Sequence, residues 1–159
     1  MTLNIRPAER GDVPLVADLI RQLAVFEKLE HDVVLTNELL ATGLFGARPY
    51  AEAVIAEEDG LPIGFALFFH TFSTFLARPG IYLEDLFVLP DHRGRGVGRA
   101  LLGHLAHLAL ERGCGRLEWA VLNWNLEAIR FYERLGARPN SEWTVYRVAG
   151  EALQALGRE

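Results

Sequence analysis

Apolar residues change their spacing along this chain, and each spacing predicts an element. Leu3-Asn4-Ile5-Arg6 reads as a short strand. Asp12 then precedes Val13-Pro14, a helix start with proline in its first turn. Val16, Leu19, Ile20, Leu23 and Phe26 recur at helical spacing, which predicts a helix running to about Leu29. Thr36 is placed to cap a second helix carrying Leu39, Leu40 and Leu44. Residues 51–57 read as a strand, Asp59-Gly60 as a hairpin turn, and residues 63–72 as the return strand. Pro79-Gly80 predicts another turn before a third long strand over residues 81–89. The period then lengthens. Leu101, Leu102, Leu105, Leu108 and Ala109 predict a helix over residues 96–112, ended by Gly113. A strand over 116–122, a helix over 125–135 closed by Gly136 and a last strand over 143–148 complete the order β-α-α-β-β-β-α-β-α-β. This is an α/β chain with a mixed sheet and helices on both faces, read as a single domain over residues 1–159.

The stretch from Val88 to Arg99 carries the chemistry. It leaves a strand, crosses a short loop with Gly94, Gly96 and Gly98, and enters a helix at Val97. Glycines let backbone amides approach a ligand closely, and a helix start offers unpaired amides and a favourable dipole to anions. Arg93, Arg95 and Arg99 add positive charge. Together these features predict a pyrophosphate cradle rather than a glycine-rich turn with solvated arginines. No Gly-Lys-Ser/Thr follows, so it is not a Walker loop. A dinucleotide fingerprint needs glycine where Arg99 stands. Glu118 lies about twenty residues on, as such a fingerprint would have it, but the loop follows the third strand of an antiparallel run instead of opening the domain.

Composition narrows the class. The 159 residues carry a net charge of −5, which argues against a nucleic-acid partner and suits a cationic substrate. Half the residues are hydrophobic, enough for a core without disulfides. One cysteine, Cys114, lies between two glycines and reads as a turn residue; it fits a reducing cytoplasm, where we place the protein. No apolar run has the length of a membrane span or a signal peptide, so no membrane partner is expected. His104 and His107 share a helix face without a third ligand, so no metal site is expected.

Arg93-x-x-Gly96-x-Gly98 at a strand-to-helix junction, followed by Asn125-x-x-Ala128-x-x-Phe131-Tyr132-x-x-x-Gly136, resembles the acetyl-CoA motifs of the GNAT superfamily of N-acetyltransferases. Arg6-Pro7-Ala8, Leu23-Ala24-x-Phe26-Glu27-Lys28-Leu29, Tyr82-Leu83-Glu84-Asp85 and Trp124-Asn125 extend the likeness to its diamine (spermidine/spermine) branch. The segments around Phe26 and Trp124 are more similar to that branch's thialysine-acetylating member than to its polyamine enzyme. The resemblance implies a GNAT fold, acetyl-CoA as co-substrate and a homodimer. It implies that Leu86, Phe87 and Val88 pair through their backbone with the pantetheine arm, and that the loop from Arg93 through Gly94, Arg95, Gly96, Val97, Gly98 and Arg99 holds the phosphates. It puts Phe26, Glu27, Glu84 and Asp85 in the amine site.

Direct acetyl transfer needs a neutral amine, a polarised thioester carbonyl and an acid for the leaving thiolate. A lysine-type amine with a pKa near 10.4 is neutral in only about one molecule in ~2,500 at pH 7, so a base or water relay is required. Glu84 and Asp85 interrupt an apolar strand; since strand side chains alternate, one of the two must face inward or line a cleft. Glu84 is the expected catalytic group on the amine. Asn125, Ala128 and Tyr132 fall at i, i+3 and i+7 on one helix face: Asn125 is placed to cap the helix and Ala128 to leave room for the pantetheine arm, while Tyr132, which by its position alone could equally be a core tyrosine, is the thiolate acid that the resemblance implies. Glu118 and Trp119 are candidates for the same amine channel, and Glu142 is a weaker one. Phe26 stands where the polyamine enzyme has tyrosine, which shifts the expected acceptor toward thialysine-like amino acids. The alternatives are a protein or peptide amine as acceptor, or a non-catalytic acyl-CoA sensor.

Overall fold

The sheet is built where apolar residues alternate or run continuously. A computed structural model describes residues 2–159, which fall into two units, one ending at Ala120 and the other Val121–Glu159. In the first, five strands lie side by side in chain order: β1 (Leu3–Pro7), β2 (Glu52–Glu58), β3 (Leu61–Ser73), β4 (Arg78–Val88) and β5 (Leu117–Trp119). The first four are antiparallel neighbours; β5 joins β4 in parallel, which makes the sheet mixed, as expected. Asp59 and Gly60 turn the β2–β3 hairpin with φ of 51° and 84°.

Helix α1 (Val13–Phe26) and helix α2 (Asn37–Phe45) cover one face of the sheet. Val16, Leu19 and Leu23 of α1 and Leu44 of α2 pack against Ala53, Ile55, Phe65, Leu67 and Phe87. The interleaved strand residues Val54, Ala56 and Ala66 point to the other face and are buried too. There helix α3 (Val97–Glu111) lies against β1, β3, β4 and β5, burying Val97, Leu101, Leu102, Leu105 and Ala109 along one side. Both faces therefore carry helices. Thr36 caps α2 as its position suggested: its hydroxyl oxygen accepts from the Leu39 amide at 3.1 Å. Arg112, just past α3, donates two bonds to the Glu52 carboxylate, 2.7 and 2.8 Å, tying the helix end to β2. Gly113 follows with φ 73° and reverses the chain, and Cys114 is buried in the turn.

Several expected boundaries moved. Helix α1 stops at Phe26, short of Leu29, because Lys28 takes a left-handed backbone (φ 63°) and the Leu29 amide bonds back to the Ala24 carbonyl. Pro79-Gly80 is not a turn. The β3–β4 turn spans residues 74–77, with the Leu76 amide donating to Ser73 Oγ, and Pro79 already pairs with Phe72. Gly80 is required by close approach: a Cβ there would lie 2.7 Å from Thr71 Oγ1. The strand expected over 116–122 is shortened to Leu117–Trp119.

The second unit holds α4 (Leu126–Arg134) and α5 (Gly150–Gly157), the latter unforeseen. Among its described residues no strand forms, so the strand expected over 143–148 is absent. Its β-prone residues Trp143, Val145 and Tyr146 lie exposed, because strand propensity acts only through a ladder and neighbours to pack on.

The first-unit core makes a direct prediction. Phe65 is fully buried between α1 and the sheet. Phe65→Ala is expected to lower unfolding stability by about 3–5 kcal/mol in urea titration, whereas Val145→Ser, at an exposed position, changes it by less than about 0.5 kcal/mol.

Candidate active site

Strand β4 organises the site. Its register against β3 slips between Leu67, opposite Asp85, and Phe68, opposite Leu83, so Glu84 has no partner and forms a β-bulge. The alternation that was to send Glu84 and Asp85 to opposite faces is broken there. Asp85 lies across from Leu67 and two residues before Phe87, both in the core under α1, so it points toward α1. Glu84 is exposed at the bulge and Asp85 half-buried. Glu27 stands at the C-terminal end of α1 and completes the group.

The three carboxylates feel one another. Burial first, then Glu84 and Glu27, push Asp85 up to about 6, and every influence on it is upward. Glu27 is raised by burial and then by Glu84. Tyr82 is raised by burial, by Glu84 and by Glu118. Glu118 pairs in register with Tyr82 and Trp119 with Leu83, immediately before the bulge. Glu118 also lines a small cavity of ≈ 70 Å³ with Thr71, Gly80 and Arg116. It thus stands one step from the carboxylate group and acts on Tyr82, not on Asp85 or Glu27.

Pairing with β5 ends at Leu83–Trp119, so residues 84–88 of β4 have β3 on one side and no strand of the first unit on the other. Leu86, Phe87 and Val88 therefore offer a free backbone edge on which an extended amide-containing chain can add as a strand. The chain then passes through a 3₁₀ turn, Pro90–His92, into the glycine loop. Gly94 and Gly96 have φ of 78° and 83°, and nothing lies within 4 Å of where their side chains would begin. Gly96 caps α3 without a side-chain bond, so the first amides of Val97, Gly98 and Arg99 point out with the positive end of a four-turn helix behind them. The donors fit a diphosphate.

The loop arginines are not equivalent, a division that the sequence did not show. Arg93 Nε donates to the Val88 carbonyl at 2.8 Å, and its guanidinium lies 4.9 Å from the Phe26 ring centre and 5.2 Å from that of Phe87. It bolts the end of α1 to the end of β4. Arg95 donates to Glu58 at 3.1 Å and to the Asp91 carbonyl at 3.0 Å. Arg99 is exposed on the first turn of α3.

In the second unit Asn125 caps α4 as expected, its side-chain oxygen accepting from the Ala128 amide at 3.2 Å. Ala128 and Tyr132 follow on the same face, both half-buried, and the Tyr132 ring lies 5.5 Å from that of Phe131. His107 meets Glu111 at 3.1 Å. Glu142 is exposed in a turn.

Asp85 gives the first unit a distinctive pH response. Its carboxyl titrates near 6 when folded and near 3.8 when unfolded, so the folded chain holds the extra proton between those values. The resulting stabilisation is full below about pH 4 and is lost as pH rises through 6. Relative to Asp85→Asn, the wild type should lose about 2 kcal/mol between pH 4 and pH 7 in paired denaturation curves. Parallel curves for the two proteins would contradict the assignment.

Comparison with known proteins identifies the family. The profile of the acetyltransferase (GNAT) family matches residues 17–137. The chain is 37% identical to a thialysine N-epsilon-acetyltransferase of Bos taurus, with 96% of this chain and 95% of that protein covered. It is 34% identical to an L-ornithine N5-acetyltransferase of Arabidopsis thaliana, covering 99% of this chain and 89% of that one. Among solved structures, an integron cassette protein from the mobile metagenome of V. cholerae superposes with a TM-score of 0.83 at 28% identity, covering 100% of this chain and 99% of that one. The family profile and these relatives, covered over most of their length, show that the chain belongs to the GNAT family of acetyltransferases.

Proposed function

We propose that this acetyltransferase moves an acetyl group from acetyl-CoA directly onto the primary amine of a small diamine, polyamine or lysine-like amino acid, with thialysine-type acceptors ahead of spermidine. The observation that carries this reading is the group of Glu27, Glu84 and Asp85 around the β4 bulge, where mutual repulsion is relieved by an ammonium. The thialysine and ornithine acetyltransferases among its relatives support it, as does the net charge of −5. Phe26 offers a ring without a hydroxyl beside Glu27, which suits an alkyl chain more than an additional polar contact.

Bound acetyl-CoA supplies the acyl group. The amides opening α3, with Arg99, hold its phosphates, while the free edge of Leu86, Phe87 and Val88 aligns the pantetheine arm and polarises the carbonyl. Glu84 binds the ammonium and passes its proton to water. The freed nitrogen forms the C–N bond as the C–S bond breaks and releases its second proton to water, and the Tyr132 hydroxyl gives its proton to the sulfur, regaining one from solvent. Asn125 and Ala128 fix the helix that carries Tyr132. We further propose that residues 1–159 act as one domain, that the enzyme is a cytoplasmic homodimer, and that nucleic acid and membrane are not its partners. No helix among the described residues is long and apolar enough to cross a membrane.

The test is a competition among thialysine, lysine, putrescine and spermidine, followed by mass spectrometry and ranked by kcat/KM. Thialysine is expected first. If all four are inert while a protein lysine is acetylated, the acceptor assignment falls. Glu84→Gln should lower kcat/KM for the amine by about 30-fold or more with acetyl-CoA affinity retained. Tyr132→Phe should lower kcat about 10²-fold without loss of acetyl-CoA binding. Gly96→Asp should abolish that binding in calorimetry, since it sets a side chain on a left-handed residue and an anion beside the phosphates. Light scattering at micromolar concentration decides the dimer.

A further inference from the structure

A carboxylate beside a phosphate site repels the ligand it borders, so its presence calls for a reason. Glu58 is such a carboxylate. It ends β2, held by the ladder on both sides, opposite Leu3 of β1 and Leu61 of β3, next to the tight Asp59-Gly60 turn. Its side chain is only 15% exposed. Two side chains from the glycine loop converge on it. His92 Nδ1 donates to Oε2 at 2.9 Å, and Arg95 donates to Oε1 at 3.1 Å. Arg95 also reaches back to the Asp91 carbonyl at 3.0 Å, closing the loop on itself.

We infer that Glu58 is a positioning residue for the diphosphate: through His92 and Arg95 it clamps the glycine loop to the sheet in the shape that presents the α3 amides. Gly94 and Gly96 make that clamp necessary. Both sit at positive φ in open space, so beyond the anchor at Arg93 the loop has a large conformational entropy to lose and its glycines have no side-chain packing to offset it. A site built on such a loop binds in proportion to the fraction of time the loop is already in shape. Glu58, paired with a strand on each side at the end of β2, supplies the rigid end. The charges also balance: the positive charge of Arg95 is offset by Glu58, and the phosphates are left to the helix amides and Arg99. Arg95 is thus a brace for the loop, in contrast to its expected place as a phosphate ligand.

This inference rests on the loop being the acetyl-CoA site, and two measurements separate the two. Trypsin cleaves after Arg93 and Arg95 only when the loop opens. In the ligand-free protein, Glu58→Ala should raise cleavage at these two bonds several-fold while leaving cleavage after Arg158 unchanged. By calorimetry with CoA, Glu58→Ala should bind roughly 5–10-fold more weakly at an unchanged circular dichroism spectrum. Glu58→Gln keeps an acceptor for Arg95, and should return to within about 3-fold of wild type. Tighter CoA binding by both variants would show that Glu58 acts only as a repelling charge, and equal loop cleavage in wild type and Glu58→Ala would show that it holds nothing; either overturns the inference. A wild-type protein that fails to bind CoA removes the coenzyme assignment instead, and the clamp is then decided by cleavage alone.

Discussion

Everything functional in the first unit depends on how far β4 is paired. Its residues 81–83 are locked between β3 and β5, and its last five have a strand of the first unit on one side alone. A backbone edge left without a ladder inside a fold is costly unless something pairs with it. In the proposed function the sheet thereby leaves an edge for an extended ligand, and no side chain has to be spent on forming it. The glycine loop and the start of α3 follow directly from the open end, so on the proposed reading consecutive parts of one segment would receive the ligand's chain and its charged head.

The bulge at Glu84 belongs to the same constraint. Where the ladder on one side gives out, an unmatched residue can be accommodated on the other, and the local twist increases. One consequence is chemical: Asp85, which regular alternation would have separated from Glu84, comes under the influence both of Glu84 and of Glu27, delivered by α1. Arg93 then fastens the two elements that carry these acids, through two aromatic rings and one carbonyl. In the proposed function a single guanidinium thus joins the amine side to the coenzyme side.

The strands and helices of the first unit were legible because burial writes a pattern into the sequence: continuous apolar runs in β2 and β3, which are covered on both faces, and a period of three to four in α1 and α3. The cap at Thr36 and the turn at Asp59-Gly60 were legible because few residues do those tasks well. The glycine loop was recognisable on the same ground. What could not be read was set by partners distant in sequence. The bulge arises from a register slip against Leu67 and Phe68, and only the Glu84-Asp85 doublet hinted at it. Pro79-Gly80 has the composition of a turn, yet the close approach of Thr71 makes Gly80 a strand residue. Lys28 adopts a backbone usually reserved for glycine, so the early end of α1 left no mark. The segment after Glu142 alternates as a strand does but finds no ladder within its unit. Arg93, Arg95 and Arg99 look alike in the loop, and only their contacts assign two of them to holding the protein together.

The single thiol of the chain has a practical side. Cys114 is folded into the turn after α3 and is only 7% exposed. Each acetyl transfer liberates a coenzyme sulfhydryl, and chromogenic disulfides report such groups by thiol exchange, which proceeds only where the sulfur is accessible. With its own sulfur shielded, the folded enzyme adds little background colour to that assay. Slow colour in the absence of amine then measures the opening of the turn that hides Cys114.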